Sequence, residues 1–129
     1  MDISSLFRPL DEDVIQKRFA LDNYRISDFT TFNFGEWPNW EKADIIIVGC
    51  PEDKNSRELG GSAMAPDQIR RQFYHLTVPK RSITICDLGN MVKADRMSTY
   101  YDRISDVVET IVKAGKLLIL LGGSQDIVY

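Results

Sequence analysis

Three short segments of the chain are apolar, and they recur at a regular spacing. After its leading Asp44, the segment 44–50 is a continuous apolar run, and so is 117–121, as in strands that are covered on both faces. The segment 82–87 instead alternates polar and apolar residues, as in a strand with one less-covered face. Glycine or aspartate stands at or just after the end of each segment. The pattern predicts three β-strands.

Two helical patterns lie between these strands. The first begins near Pro66, because the first turn of a helix tolerates a residue without an N–H group. Ile69, Phe73 and Leu76 then follow at the i, i+4, i+7 spacing of a single helix face. This spacing predicts a helix that buries those three side chains.

The second helical pattern carries signals at both ends. Ser98 or Thr99 is expected to cap its start, and Asp102 completes a Thr-x-x-Asp box. Gly115 is placed to end the helix in the left-handed conformation. Between the two ends the β-branched residues form one apolar stripe: Ile104, Val107, Val108, Ile111 and Val112.

Alternation of strand and helix predicts an α/β fold of the βαβαβ type, with a parallel sheet and right-handed crossovers. The predicted strand order is 2-1-3, since the continuous first segment suits the middle of the sheet and the alternating second segment suits an edge. The third strand is then the other edge. An uncharged apolar edge invites unwanted strand pairing, and native domains normally cover it. We therefore expect it to be covered by another part of a longer polypeptide, by a second copy of the chain or by the N-terminal residues.

Residues 1–43 differ from the rest, and we treat them as an N-terminal aromatic arm that precedes a domain at 44–129. Residues 11–19 suit one helix. Aromatic side chains then crowd an irregular stretch: Phe29, Phe32, Phe34, Trp37 and Trp40. The arm is interpreted as a strap packed across the sheet or helices, with an oligomer contact through exposed aromatics as the alternative.

Composition narrows the class of protein. The chain has 129 residues, and 16 basic against 19 acidic residues give a net charge of −3, which disfavours nucleic acid and anionic membranes as partners. No apolar run approaches a membrane span, and the N-terminus lacks a secretory pattern, so a cytoplasmic protein is expected. Cys50 and Cys86 form no CxxC motif, but as ends of neighbouring strands they are able to lie near each other. We expect reduced, buried, structural thiols rather than a redox pair.

Candidate site residues lie where the predicted strands end, because ligands of open parallel sheets collect there. The long connection 51–64 is the natural lip of such a site. Asp87 with Glu52 and Asp53 suggests a phospho-acceptor or Mg²⁺ pocket, but the Thr/Ser and Lys that such a pocket needs are not identifiable. No phosphate-binding glycine motif is present.

Three further side chains have two interpretations each. Arg70 is expected to pair with Asp67 or Asp87 rather than to bind an acidic substrate tail. His75, the only histidine, is expected to be a satisfied residue at a helix end rather than a ligand. Asp126 is expected to cap a following helix rather than to touch a metal.

Four segments together resemble the arginase/agmatinase/formimidoylglutamase (ureohydrolase) family. In order they are Ile47-Val48-Gly49-Cys50-Pro51-Glu52-Asp53, then Gly60-Gly61-Ser62-Ala63-Met64-Ala65-Pro66-Asp67-Gln68-Ile69-Arg70-Arg71, then Asp87-Leu88-Gly89-Asn90, and finally Leu121-Gly122-Gly123-Ser124-Gln125-Asp126. The resemblance covers 44–129. It implies a larger three-layer α/β/α fold, of which this chain is an incomplete part. It also implies a two-manganese centre whose bridging hydroxide attacks a guanidino or amidino carbon, with an amidine as the small-molecule substrate.

The sequence departs from the family pattern at the metal ligands. Gln125 stands where the resemblance places the family's first ligand histidine, and a neutral amide oxygen is a poorer ligand than imidazole. The family's other ligand motifs, Asp-x-His-x-Asp and Asp-x-Asp, do not occur before Tyr129. We therefore expect the N-terminal part of a manganese-dependent hydrolase of linear amidines, inactive and without Mn²⁺ by itself, and a homo-oligomer. The alternatives are a non-catalytic protein of the same fold that acts in binding or assembly, and a free-standing flavodoxin-like module.

Overall fold

A computed structural model describes residues 2–15, 24–51, 64–78 and 83–122. The strands are β1 (Phe7–Arg8), β2 (Tyr24–Arg25), β3 (Thr30–Phe32), β4 (Ile45–Cys50), β5 (Thr77–Val78), β6 (Ile85–Met91) and β7 (Leu117–Gly122). The helices are α1 (Glu12–Ile15), α2 (Ala65–Phe73) and α3 (Met97–Lys113). Single 3₁₀ turns cover Ser4–Leu6, Ile26–Phe29 and Trp40–Lys42.

The three predicted strands are β4, β6 and β7, and their order is confirmed. β4 lies between β6 and β7 and pairs in parallel with both, so the order is 2-1-3. In register, Ile46 lies beside Cys86 on one side and beside Leu118 on the other. The α/β fold class predicted from the alternation of segments is therefore confirmed.

The prediction that β6 lies at an edge is wrong. β3 pairs in parallel with its first half, at Thr30↔Ile85, and β1 pairs antiparallel with its last residues, at Phe7↔Met91. The sheet is therefore mixed rather than purely parallel. All seven β6 residues are buried, polar ones included, because Asp87 and Asn90 have charged and polar partners under α2.

Helices cover both faces of the sheet. On one face, Ile46 and Val48 of β4 pack in the same buried cluster as three residues of the predicted α3 stripe, Ile104, Val107 and Ile111. On the other face, Ile47 packs with Tyr74 just after α2 and with N-terminal side chains such as Val14, Ile26 and Phe32. This arrangement gives the three layers that the family resemblance implies.

The predicted inward face of α2 is wrong at two of its three residues; the third, Phe73, is partly buried and packs against the core. Ile69 is 43% exposed and Leu76, beyond the helix end, is 57% exposed, whereas Pro66 and Arg70 are buried. The helix is rotated so that Arg70 reaches the sheet, because Asp87 gives its guanidinium a buried partner there. The spacing of apolar residues alone does not reveal this rotation, because it takes no account of the buried Arg70–Asp87 ion pair.

The sequence predicted the end of α3 correctly but not its start. The helix begins at Met97 after Arg96, which makes no side-chain cap, so Ser98 and Thr99 lie inside the first turn and the predicted cap is wrong. Gly115 has φ 79° and donates its N–H to the Val112 carbonyl at 3.0 Å. The left-handed ending at Gly115 is therefore confirmed.

The described part of residues 1–43 packs against the sheet. Phe7, Phe29, Phe32 and Trp40 are buried, which agrees with the strap interpretation; the boundary between 43 and 44 remains a prediction. Only 12–15 of the predicted helix 11–19 are described as helix, since 16–23 lie outside the described residues. β1 and β3 pair with β6, on the far side of β4 from β7. For the described residues, recruitment of the arm to β7 is therefore wrong.

None of the helices in the described ranges is long and apolar enough to cross a membrane.

Candidate functional site

The best-defined polar group in the described part of the chain extends from the middle of β6 to the ends of β4 and β6. Asp87 was expected to end its strand, but β6 continues to Met91, and Asp87 lies beside Ile47 of β4. Arg70 of α2 binds Asp87 of β6 through two parallel hydrogen bonds, from Nε to Oδ2 at 2.8 Å and from Nη2 to Oδ1 at 3.0 Å. Both side chains are 0% exposed. A two-point contact of this kind fixes direction as well as distance, because the guanidinium and carboxylate planes must match.

Asp87 accepts two more hydrogen bonds. The Tyr74 hydroxyl donates to Oδ2 at 2.7 Å, and the Gly89 N–H donates to Oδ1 at 3.0 Å. A carboxylate has about four lone-pair sites, so the capacity of Asp87 is filled. This carboxylate is not free to accept a phosphoryl group or to bind a metal ion. Asp87 therefore does not serve the phospho-acceptor or Mg²⁺ pocket that the sequence suggested.

Arg70 is equally well satisfied. Its remaining N–H groups donate to Asn90 Oδ1 at 2.6 Å, to Asp67 Oδ1 at 3.0 Å and to the Gly89 carbonyl at 3.1 Å. With the two bonds to Asp87, all five guanidinium donors have partners. The expected pairing of Arg70 is confirmed with both Asp67 and Asp87, and its complete burial leaves no surface for an acidic substrate tail.

Asp67, Arg70, Tyr74, Asp87 and Asn90 form one network, called the Arg70 cluster below. It joins the first turn of α2 to the end of β6, since Asn90 Nδ2 also donates to Asp67 Oδ1 at 3.1 Å. The side chain of Asp67 is 38% exposed and places the cluster's second carboxylate toward solvent. One guanidinium with two carboxylates leaves the cluster with a net formal charge of −1.

Two glycines make room for the cluster and its surroundings. A Cβ atom on Gly49 would lie 1.9 Å from Asn90 Oδ1 and 2.9 Å from Arg70 Nη2, so the end of β4 must lack a side chain there. Gly89 has φ 95°, and a Cβ would lie 2.6 Å from the Arg8 carbonyl of β1. Close packing therefore explains why glycine is required in the family-like segments 47–53 and 87–90.

Burial and charge shift the pKa values of this region. Burial alone would lower the pKa of the Arg70 guanidinium, but the adjacent Asp87 carboxylate outweighs it and raises that pKa. Burial, reinforced by Asp87, raises the pKa of Tyr74 far above its ordinary value. Arg70 therefore stays charged and Tyr74 stays a hydrogen-bond donor throughout the physiological range.

The two cysteines are free and buried, as predicted, but they are not neighbours. Cys86 lies beside Ile46, four residues before Cys50 on β4, which is about 13 Å along a strand. Burial raises the pKa of Cys50 to about 12, and burial with the adjacent Asp87 raises that of Cys86 to about 12. Both are structural thiols rather than reactive ones.

His75 follows the end of α2 and has a partner, as expected for a helix-end histidine. Its Nδ1 lies 3.1 Å from Nη1 of Arg25, which also donates to the His75 carbonyl at 3.3 Å. Because a guanidinium can only donate, Nδ1 is the acceptor of this contact. The contact fastens β2 to the residues that follow α2.

Several candidate site residues lie outside the described residues: Gln125, Glu52, Asp53 and Asp126. The lip 51–64 is described only at its two ends. Among the residues that the structure describes, no group of three His, Cys, Asp or Glu side chains is placed to hold a metal ion.

Sequence reasoning missed Tyr74 as a member of the site. Its signal was available, since Asp67, Arg70 and Tyr74 stand at i, i+3 and i+7 and so share one face of a helix. The competing apolar spacing of Ile69 and Phe73 concealed that polar face.

Comparisons with known proteins agree on one relationship. A family model described as "Arginase family" matches residues 43–129. The human mitochondrial guanidino acid hydrolase is 29% identical over 69% of this chain and 28% of its own length. The formimidoylglutamase of Corynebacterium efficiens is 31% identical over 76% of this chain and 32% of its own length.

A solved structure shows the same relationship in three dimensions. The agmatine ureohydrolase of Thermoplasma volcanium superposes with a TM-score of 0.65 at 29% identity, covering 85% of this chain and 37% of its own. This chain therefore spans about a third of the length of the relatives that it matches.

Proposed function

Because the chain belongs to the arginase family, we propose that it is the N-terminal part of a manganese-dependent hydrolase of linear amidines, of the formimidoylglutamase, agmatinase or arginase type. Alone, it is inactive. The substrate of the longer protein is a small amidine or guanidino compound, bound where the parallel strands end. The protein acts in the cytoplasm, as a homo-oligomer, without nucleic acid or membrane partners.

One observation carries this proposal. The residues that match the family model, 43–129, include the Arg70 cluster, which joins α2 to β6. Asp67, Arg70, Asp87 and Asn90 all belong to the segments that resemble the family. Their contacts hold the strand ends in fixed positions. A fixed edge is what a hydrolase needs beneath its reacting groups, since misplaced groups lose rate steeply.

The described residues do not by themselves fit a manganese pair. Asp87 has no free lone pair, and Arg70 occupies one side of Asp67. Gln125, the proposed position of the first ligand, offers an amide in place of an imidazole. Manganese therefore belongs to the longer protein, and this chain binds none at stoichiometric level.

An activity assay tests the proposal. The chain and the longer gene product are each incubated with Mn²⁺ and with arginine, agmatine or formimidoylglutamate, and released urea or formamide is measured together with the metal content. We expect turnover only from the longer, manganese-loaded protein. Turnover by the 129-residue chain contradicts the proposed inactivity, and a metal-free, inert longer protein contradicts the proposed hydrolase.

Gln125 favours a second candidate, a non-catalytic protein of this fold that acts in binding or assembly. Such a protein binds amidines without releasing product. Calorimetric titration of the longer protein with agmatine and arginine separates the candidates, because saturable heat with no urea supports binding alone.

A further inference from the structure

We propose that a polar cavity at the amino ends of β3 and β6 binds a small zwitterion, an α-amino acid with a short side chain. The cavity lies between residues 28–31, the turn that contains Lys42, and residues 84–86; it is called the amino-end cavity below. Asp28 binds the ammonium group of the ligand, and Lys42 binds its carboxylate. Binding there is independent of the hydrolase activity proposed above.

The path of the chain creates the amino-end cavity. β3 and β4 pair with opposite sides of β6, so the connection between them has to cross β6. Trp40 and Ala43 of this connection pack in one cluster with Cys86 of β6. A cavity of about 210 Å³ remains beside the crossing, with residues 84–86 as its floor. It is formed without any residue of β7.

The amino-end cavity is well separated from the Arg70 cluster. Its floor includes Ile85, the first residue of β6, whereas Asn90 of the cluster stands five residues further along the strand. Five residues of a strand span about 16 Å. A ligand in the cavity therefore does not contact the carboxyl edge of the sheet.

Two opposite charges line the cavity without neutralising each other. Asp28 and Lys42 are both exposed residues of its wall. The ion pairs of the described residues belong to Arg70 and Lys113, so Asp28 and Lys42 do not pair with each other there. A negative and a positive group at separate places in one cavity match a ligand that carries both charges. Hydrogen bonds to charged groups are also the stronger kind.

Hydrogen-bonding capacity remains for such a ligand. Asp28 Oδ2 accepts the Arg25 N–H at 2.9 Å, which fixes the carboxylate in place. A carboxylate has about four lone-pair sites, so Asp28 is able to accept from an ammonium group as well. Thr31 and Asn39 also line the cavity, and within the described part of the chain their side chains make no hydrogen bond. They supply neutral donors and acceptors beside the two charges.

Two walls of the cavity are held in place by hydrogen bonds of their own. On one side, Thr30 Oγ1 donates to the Ile26 carbonyl at 2.7 Å. On the other side, the Thr84 N–H donates to Asp44 Oδ2 at 3.1 Å, and the Asp44 N–H donates to the Thr84 carbonyl at 3.0 Å. A site whose walls are already fixed loses less conformational entropy when a ligand binds.

The volume limits the size of the ligand. A cavity of about 210 Å³ corresponds to about seven water molecules of about 30 Å³ each. It therefore suits a molecule of about seven non-hydrogen atoms, such as L-serine. Nucleotides and peptides are too large for it.

A titration with L-serine tests the site. Nitrogen–proton correlation NMR of the 129-residue chain is expected to show saturable shifts of the Thr31, Lys42 and Thr84 amide signals, while the Val107 signal of α3 stays in place. Ethanolamine lacks the carboxylate of L-serine, and 3-hydroxypropionate lacks its ammonium group. Each is expected to bind at least about tenfold more weakly, because one charged contact is lost.

Substitutions of the two charged residues test their roles. D28N keeps an oxygen to accept the Arg25 N–H, and K42M keeps an unbranched side chain, so both variants are expected to fold. Each is expected to weaken L-serine binding at least about tenfold. The matched controls are E41Q, in the same turn as Lys42 but outside the cavity lining, and K93M, an exposed residue after β6. Both controls are expected to bind L-serine as the wild-type chain does.

Calorimetric titration of the longer gene product with L-serine covers the case in which the 129-residue chain alone gives no folded spectrum. Its D28N variant then separates the amino-end cavity from any other site. Absence of saturable binding in the folded wild-type protein would overturn the assignment. So would equal binding of L-serine and 3-hydroxypropionate, which describes a simple anion site, or binding that D28N and K42M leave unchanged.

Discussion

At the scale of single residues, the most informative feature is a buried charge with a complete set of partners. Arg70 and Asp87 are both fully buried, and each uses its whole hydrogen-bonding capacity. Desolvating such a pair costs free energy, but removing one partner costs more, because the remaining charge is then buried with neither a partner nor solvent. The cluster therefore specifies how α2 lies on β6 more than it adds net stability.

R70M is expected to lower the free energy of unfolding by about 3–5 kcal/mol, since it leaves Asp87 buried without its cation. R71M, one position along and only half-buried, is expected to change it by less than about 0.5 kcal/mol. Urea denaturation followed by circular dichroism measures both. Equal effects of the two substitutions would contradict a structural role for the pair.

G49A is expected to destabilise the fold through the clash of its new Cβ with Asn90 Oδ1 at 1.9 Å. A clash of this kind in a packed core costs about 1–3 kcal/mol or more. In an N90A background the same substitution is expected to cost less, because the nearest atom is gone. A double-mutant cycle measures this coupling, and strictly additive effects would show that the two residues do not meet.

The raised pKa values of the two buried thiols predict that the folded chain loses stability at alkaline pH. The pKa of Cys50 in the folded chain is about 12, against an ordinary value of 9.0, and that of Cys86 is also about 12. Between these values the unfolded chain has lost protons that the folded chain keeps, so the free energy of unfolding falls as pH rises, by up to about 1.4 kcal/mol per pH unit for each thiol. Urea denaturation from pH 8 upward measures the slope. It should be shallower in C50A, and a slope unchanged by C50A would argue against the shift.

At the scale of elements, sequence pattern predicted long elements and missed short or charge-paired ones. β4 and β7 follow from continuous apolar runs, and the left-handed ending of α3 follows from Gly115. β1 and β3 span two and three residues, too few to show a period, and their place beside β6 depends on contacts distant in sequence. The rotation of α2 depends on the Arg70–Asp87 pair, which apolar spacing does not reveal.

The candidate site was predictable to a similar degree. Sequence pattern placed Gly49 correctly near the end of its strand and predicted the pairing of Arg70, but Asp87 lies inside β6 rather than at its end. It did not show that Asp87 is saturated, because saturation depends on the Tyr74 hydroxyl and the Gly89 N–H. Both come into reach only once α2 and β6 are in place.

At the scale of the whole molecule, the two edges of the sheet contrast. Beyond β6, strands from residues 1–43 cover the edge and bury Phe7 and Phe32. Beyond β7, apolar side chains remain exposed in the part of the chain that the structure describes. The chain spans about a third of the length of the relatives that it matches.

The central claim is that the carboxyl edge of this sheet is held by internal pairing and that the chain alone does not form a manganese centre. Titration with Mn²⁺, followed by nitrogen–proton correlation NMR, tests it most directly, because bound manganese broadens nearby amide signals. The account predicts that the signals of Gly49 and Asp87 keep the same intensity as that of Val107 in α3 at one equivalent of metal. Selective loss of the Gly49, Asp87 and Gly122 signals at that ratio would contradict it.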